Sequence, residues 1–201
     1  MKKGIFLTLT VLMAATVYAE QGKKVTENGQ FFYVYHDKGD RQNHYIPSGW
    51  MGDYGDLKLN DGFVRDVPKD GGRTAIEWTY SAKATNGANW AGAFWQNPAN
   101  NWGSLPGGYD LTGYKRLTFW AKADRPAKIA EFKVGGITGE HSDSDSANLA
   151  PVEVTEKWTK YTIDLADKNL TNIIGGFAWS ASRDDNQEGF KLYLDEIRFE
   201  R

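Results

Sequence analysis

Eight tryptophans and no cysteine stand in a chain of 201 residues. Trp50, Trp90, Trp95 and Trp102 lie in stretches rich in Gly, Asn and Asp, such as Pro47-Ser48-Gly49-Trp50-Met51-Gly52-Asp53-Tyr54 and Asn97-Pro98-Ala99-Asn100-Asn101-Trp102-Gly103. An indole in a polar loop does not easily reach a core, and leaving it in water costs free energy, so it calls for a flat apolar partner. The C–H face of a sugar ring is such a partner, and amides and carboxylates beside the indole take up the hydroxyls. Trp50, Tyr54, Trp90, Trp95 and Trp102 are the candidate platforms. Asp53, Asn89, Gln96, Asn97, Asn100 and Asn101 are their candidate polar neighbours. The competing reading is that several of these rings pack inside the protein, as Trp78 and Trp158 are expected to do from their regular strand context.

Other chemistries find less support. His36, His44 and His141 are spaced unlike any compact metal motif. His44, in the polar segment Asn43-His44-Tyr45, is a candidate hydrogen-bonding partner for a ligand. The segment Glu140-His141-Ser142-Asp143-Ser144-Asp145-Ser146 offers hard oxygen ligands of the kind Ca²⁺ takes. It lacks the glycine and the terminal glutamate of an EF-hand, and a solvated loop is the alternative. Serine nucleophile elbows, phosphate loops and Cys/His pairs are absent. A glycosidase needs two acids facing one cleft, for which Glu131 with Glu140, or Asp53 with Glu131, are the available pairs.

The elements that would position these residues are short and extended. Phe31–His36 is aromatic; Ile76, Trp78 and Tyr80 alternate with polar residues; so do Leu117, Phe119 and Ala121, then Ala130, Phe132 and Val134, then Tyr161, Ile163 and Leu165. Period-two alternation broken by Gly, Asn, Asp and Pro predicts an all-β sandwich. The last strand changes phase: Phe190, Leu192 and Leu194 share one parity, Ile197 and Phe199 the other. Only an extra residue restores the inward direction, so a β-bulge is expected at Asp195-Glu196, with Asp195 turned out of the regular ladder.

Lys2 and Lys3 followed by the apolar run Ile5–Val17 and by Val17-Tyr18-Ala19 read as a secretory signal at residues 1–19. The run is shorter than the ~20 residues that span a bilayer, and no cysteine follows to carry a lipid, so no membrane anchor is expected. Residues 20–30 read as a loose leader, and 31–201 as one domain, exported to the periplasm or outside the cell. The formal net charge is −2, and becomes more negative once Lys2 and Lys3 are removed. That mild acidity argues against nucleic acid as a partner.

Two stretches carry a family likeness. One is Gly108-Tyr109-Asp110-Leu111-Thr112-Gly113-Tyr114-Lys115-Arg116-Leu117-Thr118-Phe119-Trp120. The other is Trp158–Leu165, followed by Ile174-Gly175-Gly176-Phe177-Ala178-Trp179 and by Phe190–Ile197. Their order resembles the galactose-binding-like jelly-roll carbohydrate-binding modules of bacterial secreted glycan-active proteins. The resemblance implies a jelly-roll β-sandwich over roughly 31–200 whose partner is an oligo- or polysaccharide. It also implies a concave sheet, for which Trp120, Glu131, Lys133, Trp179 and Arg183 are the candidate contacts. Related modules carry a structural Ca²⁺ between the first and last strands, which corresponds here to Asp37 and Asp195; the bulge supports Asp195 independently. The expectation is therefore non-catalytic carbohydrate binding. A small glycan-active hydrolase or lyase on the same fold and an envelope or matrix protein-interaction module are the alternatives.

Overall fold

The computed structural model describes Lys23–Lys24 and residues 29–201. The signal sequence read at 1–19 lies outside the described residues. The strands of the first half are β1 (Lys23–Lys24), β2 (Phe31–Tyr35), β3 (Ile46–Gly52), β4 (Leu57–Val64), β5 (Ala75–Tyr80), β6 (Trp90–Gln96) and β7 (Tyr109–Asp110). Those of the second half are β8 (Arg116–Ala123), β9 (Ala127–Ile129), β10 (Glu131–Gly135), β11 (Ser146–Leu149), β12 (Val152–Val154), β13 (Thr159–Asp164), β14 (Gly175–Ser182) and β15 (Phe190–Glu200). A single 3₁₀ turn, Tyr54–Asp56, interrupts the all-β order among the described residues.

Two antiparallel sheets form a jelly-roll sandwich. One runs β11-β10-β14-β6-β3, the other β13-β8-β15-β5-β4, with β2 added beside β15. Each strand turns alternate residues inward, as period two requires. From the first sheet come Ala91, Ala93, Trp95, Phe132, Val134, Phe177, Trp179 and Ala181; from the second come Ile76, Trp78, Leu117, Phe119, Leu192 and Leu194. Burying this many large side chains, at ~1.5–3 kcal/mol each, is what holds together a chain without disulfides.

The expected bulge is present. Against β8, the register advances from Asp195↔Trp120 to Arg198↔Thr118, so β15 carries one extra residue. Glu196 absorbs it by adopting φ 49°, in the left-handed region. At the same point β15 changes neighbours: Phe190–Leu194 pair with β5, and Ile197–Glu200 pair with β2. Leu194 and Ile197 both end up in the core. Trp158 does not join the core. It is half-buried, and its Nε1 donates to Asp66 while Lys122 lies over its ring.

Candidate functional site

The outer face of the five-stranded sheet carries apolar surface that the core does not claim. On β6 the inward residues are Ala91, Ala93 and Trp95, so Trp90, Gly92, Phe94 and Gln96 point out. Phe94 heads a second, separate cluster with Ile137, Ile174 and Ala178, and Met51 of β3 packs against it. Trp102, just beyond the end of β6, meets Phe94 edge-on with ring centroids 6.3 Å apart. Trp90 at the start of β6 is 40% exposed and Trp102 is 44% exposed. Two open indoles thus flank the outer face of β6, Trp90 at its start and Trp102 against Phe94.

Glycines keep this surface low. A Cβ on Gly92 would come within 2.5 Å of the Trp179 carbonyl and 3.1 Å of Met51 Cε. One on Gly49 would meet Phe94 Cβ at 2.8 Å. A side chain at either position would collide with Met51 or Phe94, so both glycines leave room for these two residues. Beyond the apolar strip the face turns polar: Ser180 and Ser182 on β14, Glu131 and Lys133 on β10, and Asn148 on β11. Asn148 faces Lys133 across the strands, and its Nδ2 donates to Glu131 Oε2 at 3.2 Å.

Both exposed indoles are held by buried polar groups. Asp53 is fully buried; its carboxylate accepts the backbone N–H groups of Asn86 (2.7 Å), Ala88 (3.0 Å) and Asn89 (2.7 Å). Burial works to raise its pKa, but the amides of Ala88, Asn86, Asn89 and Trp90 outweigh it and keep the group below the usual range. The turn so fixed delivers Trp90, whose carbonyl also accepts the Asp53 N–H at 2.8 Å. At the other end, buried Gln96 donates to the Asn101 carbonyl and accepts from Ser48 Oγ. Buried Asn101 accepts from Gly103 and Leu105 N–H and donates to the Leu105 carbonyl. Asn97 bonds the His44 carbonyl and Tyr109 Oη. These amides, expected to meet ligand hydroxyls, instead build the loop that carries Trp102.

Several expected contacts are corrected. Trp95 is 1% exposed and Trp179 0%; both pack edge-on against Trp78 in the core, at 5.8 and 5.9 Å. They cannot stack on a ligand. Asp53 has no surface left for a hydroxyl. Trp120 lies on β8, paired with Asp195 and Lys160 in the opposite sheet, so it shares no face with Glu131 and Lys133. His44 is engaged internally: Nδ1 donates to the Tyr33 carbonyl at 3.0 Å, and its ring stacks on Phe32 at 3.9 Å. Trp50 pairs with Ala93, which puts it on the core side at the sheet edge. There it meets Trp78 edge-on at 5.1 Å and stays 37% exposed. Tyr54 is exposed on the 3₁₀ turn, and Arg183, at the end of β14 nearest Trp90, bonds the Ala82 carbonyl through Nε. Met51, Phe94, Ser180, Ser182 and Asn148 are not among the sequence candidates; the parity of β6 and β14 could have found Phe94, Ser180 and Ser182, whereas Met51 and Asn148 follow only from strand pairing.

The acidic loop is tied mostly to backbone amides of the segments around it. Asp143 accepts the N–H groups of Ile137 (2.8 Å), Gly175 (3.1 Å) and Ile174. Asp145 accepts those of Ser146 and Asn169.

Asp37 and Asp195 come together at the bulge. Asp37 Oδ1 accepts the N–H groups of Arg73 and Thr74, while Oδ2 faces Arg73 Nε at 3.3 Å. Asp195 is completely buried; Oδ1 accepts the Glu196 N–H, and Oδ2 has no partner among the described residues. Burial, with the charges of Glu196 and Asp37, pushes the Asp195 carboxyl up to about 8. Gly71 and Gly72 wrap both acids: added Cβ atoms would lie 2.5 Å from Asp195 Oδ2 and 2.6 Å from Asp37 Oδ1. An orphaned carboxylate oxygen beside a second acid, in a cradle that tolerates no side chain, fits a hard cation. His36, Asp37 and Asp40 also gather potential ligand atoms within 4.8 Å, although His36 Nδ1 is taken by Glu196.

Comparison with known proteins places the architecture. No protein-family model matches the chain, and no curated protein matches it in sequence. Solved structures do match. One is a family 30 carbohydrate-binding module, 14% identical, with 85% of this chain and 87% of that one covered at a TM-score of 0.55. Another is the family 30 module of a cellulosomal cellulase of Clostridium thermocellum, 13% identical, covering 84% and 96% at 0.53. A third is the family 11 module from Clostridium thermocellum in complex with a β-1,3-1,4-mixed-linked tetrasaccharide, 13% identical, covering 82% and 93% at 0.51. At these identities the likeness is one of fold. Among the described residues no helix is long and apolar enough to cross a membrane.

Proposed function

We propose that this chain is an exported, non-catalytic carbohydrate-binding protein whose ligand lies on the outer face of the five-stranded sheet between Trp90 and Trp102. One observation carries this reading: the open indoles of Trp90 and Trp102, with half-buried Met51 beside them, stand on the solvent side of a sheet whose other side already closes the core. Open indole faces on the solvent side of a sheet suit the C–H faces of sugar rings. Ser180, Ser182, Glu131, Lys133 and Asn148 supply donors and acceptors for hydroxyls alongside. The likeness to carbohydrate-binding modules in fold supports the reading. Non-catalytic action is favoured because the acids Asp143 and Asp145 are committed to backbone amides and Asp53 to the Trp90 turn. The preferred ligand is a neutral oligo- or polysaccharide. The test is a glycan panel run by affinity electrophoresis, with reducing ends measured in parallel. Retardation on a neutral polysaccharide with no new reducing ends supports the reading; release of ends, or no retardation on any glycan, overturns it.

We also propose a structural Ca²⁺ at the Asp37–Asp195 corner. Asp195 Oδ2 and Asp37 would hold it, and the ion would supply charge neutralisation at the point where β15 exchanges β5 for β2. Pinning β2 to the last strand would tie the two ends of the domain in a chain without disulfides.

A further inference from the structure

A second site lies away from the aromatic strip, at the corner where the end of β2 meets β4 and β5. A cavity of about 310 Å³ there is lined by Lys38, Phe63, Arg65, Arg73 and Thr74. Three of its five walls are cations, in a chain whose net charge is negative. Their pairing is incomplete. Lys38 Nζ lies 3.9 Å from Asp61, itself a mostly exposed acid. Arg73 spends only Nε, on Asp37 Oδ2 at 3.3 Å, and its side chain is 82% exposed. That single bond anchors the guanidinium and leaves both Nη groups without a partner among the described residues. Arg65 makes no ion pair or side-chain hydrogen bond among the described residues.

Phe63 is the second unusual feature. It is 74% exposed, the most open large hydrophobic side chain among the described residues. The β4–β5 register breaks between Asn60 and Val64, and the ring rides on that irregular segment. Lys38 Nζ stands 5.5 Å from its centroid. Phe63 therefore offers open apolar surface beside three cations, in a space at the lower end of the size usual for small-ligand pockets.

We propose that this corner is a second binding site, for a sugar residue bearing an anionic group, a carboxylate or a sulfate ester. The C–H face of such a residue would rest on Phe63. Its anionic group would reach Arg65 and the free Nη groups of Arg73, whose fork geometry suits either oxyanion. A neutral ring would use Phe63 and leave the cations idle; a bare anion would do the reverse. The residue this corner fits carries both. The site is separate in place and in chemistry from the strip between Trp90 and Trp102, so either can fail without the other.

The test is calorimetric titration of the signal-free chain with four probes: an oligogalacturonate, a sulfated oligosaccharide, inorganic sulfate and a neutral cello-oligosaccharide. The first two separate the carboxylate from the sulfate ester. Phe63→Ala and Arg65→Ala are the variants, since both side chains are exposed and thermal unfolding should barely move. At least one anionic oligosaccharide is expected to bind, with affinity falling as salt rises. Arg65→Ala should weaken it about tenfold, the loss typical of one charge-assisted contact. Phe63→Ala should weaken it too, while binding of the neutral probe stays as in the unaltered protein. The proposal is overturned if neither anionic oligosaccharide binds or if both variants bind them undiminished. It is equally overturned if inorganic sulfate, or a nucleoside monophosphate added as a further control, binds as tightly as the oligosaccharides.

Discussion

Trp95 and Trp102 stand seven positions apart and should respond to truncation in opposite ways. Trp95 is 1% exposed and wedged edge-on between Trp78 at 5.8 Å and Phe177 at 5.4 Å. Trp95→Ala leaves a cavity where an indole was, and such truncations cost ~3–5 kcal/mol. For a domain of this size each kcal/mol lowers the melting temperature by ~2–4 °C, so a drop of ~6–20 °C is expected. Trp102 is 44% exposed and touches Phe94 by one edge. Trp102→Ala should cost the fold about 1 kcal/mol or less. A tryptophan exposes ~150–250 Å² when free, so the open part of the ring offers ~100 Å² to a ligand. At ~25 cal/mol per Å², less what ordering the ligand takes back, covering it is worth on the order of 2 kcal/mol. Trp102→Ala should therefore weaken glycan binding about 30-fold. Differential scanning calorimetry reads the first effect and titration calorimetry with a retained glycan reads the second. If Trp102→Ala melts like Trp95→Ala, or binds the glycan as tightly as the unaltered chain, the assignment of the two indoles is wrong.

Three further outcomes follow from the buried charges. Burial alone would raise the Glu200 carboxyl, but Arg116, Thr118, Arg198 and Lys160 outweigh it and hold it at about 2. A carboxyl depressed from 4.5 contributes stability that is complete above pH ~5 and is lost as pH falls through ~2, here about 3 kcal/mol. Urea titrations from pH 6 to pH 2 should show that slope, and Glu200→Gln should flatten it; identical slopes would refute the assignment. Added Ca²⁺ should raise the melting temperature of the unaltered chain, by the equivalent of ~2.7 kcal/mol at a hundredfold excess over Kd, and leave Asp195→Asn unmoved; equal shifts would refute the Asp37–Asp195 site. Asp53→Ala removes the acceptor of three backbone amides, so hydrogen exchange at Asn86–Trp90 should accelerate and glycan binding weaken although Asp53 never meets the ligand; unchanged exchange would contradict its role.

The fold was more legible in the sequence than the site. Strict alternation in β5, β8, β10 and β13 exposes the inward faces directly, and the parity change between Leu194 and Ile197 reveals the bulge because a one-residue slip would reverse every later side chain. β6 was harder. Its polar flanks make it look like a loop, and its outward face carries Trp90 and Phe94 while its inward face carries Ala91, Ala93 and Trp95. With apolar residues on both faces the polar–apolar rhythm vanishes, and Trp90 and Trp95, five apart, could be assigned to one surface although a strand must separate them. The grouping of Trp120 with Glu131 failed for another reason: β8 and β10, close in sequence, fall in different sheets, which local pattern does not encode. Asp53, Gln96 and Asn101 read as ligand contacts because their true partners are backbone amides and carbonyls, which composition never displays.

The most direct test of the central claim is a ¹⁵N-resolved titration of the indole Nε1–H resonances with the glycan that retards the protein. Saturable shifts at Trp90 and Trp102, with those of Trp78, Trp95 and Trp179 unmoved, are what this account expects. Shifts at other indoles while Trp90 and Trp102 stay still would contradict it.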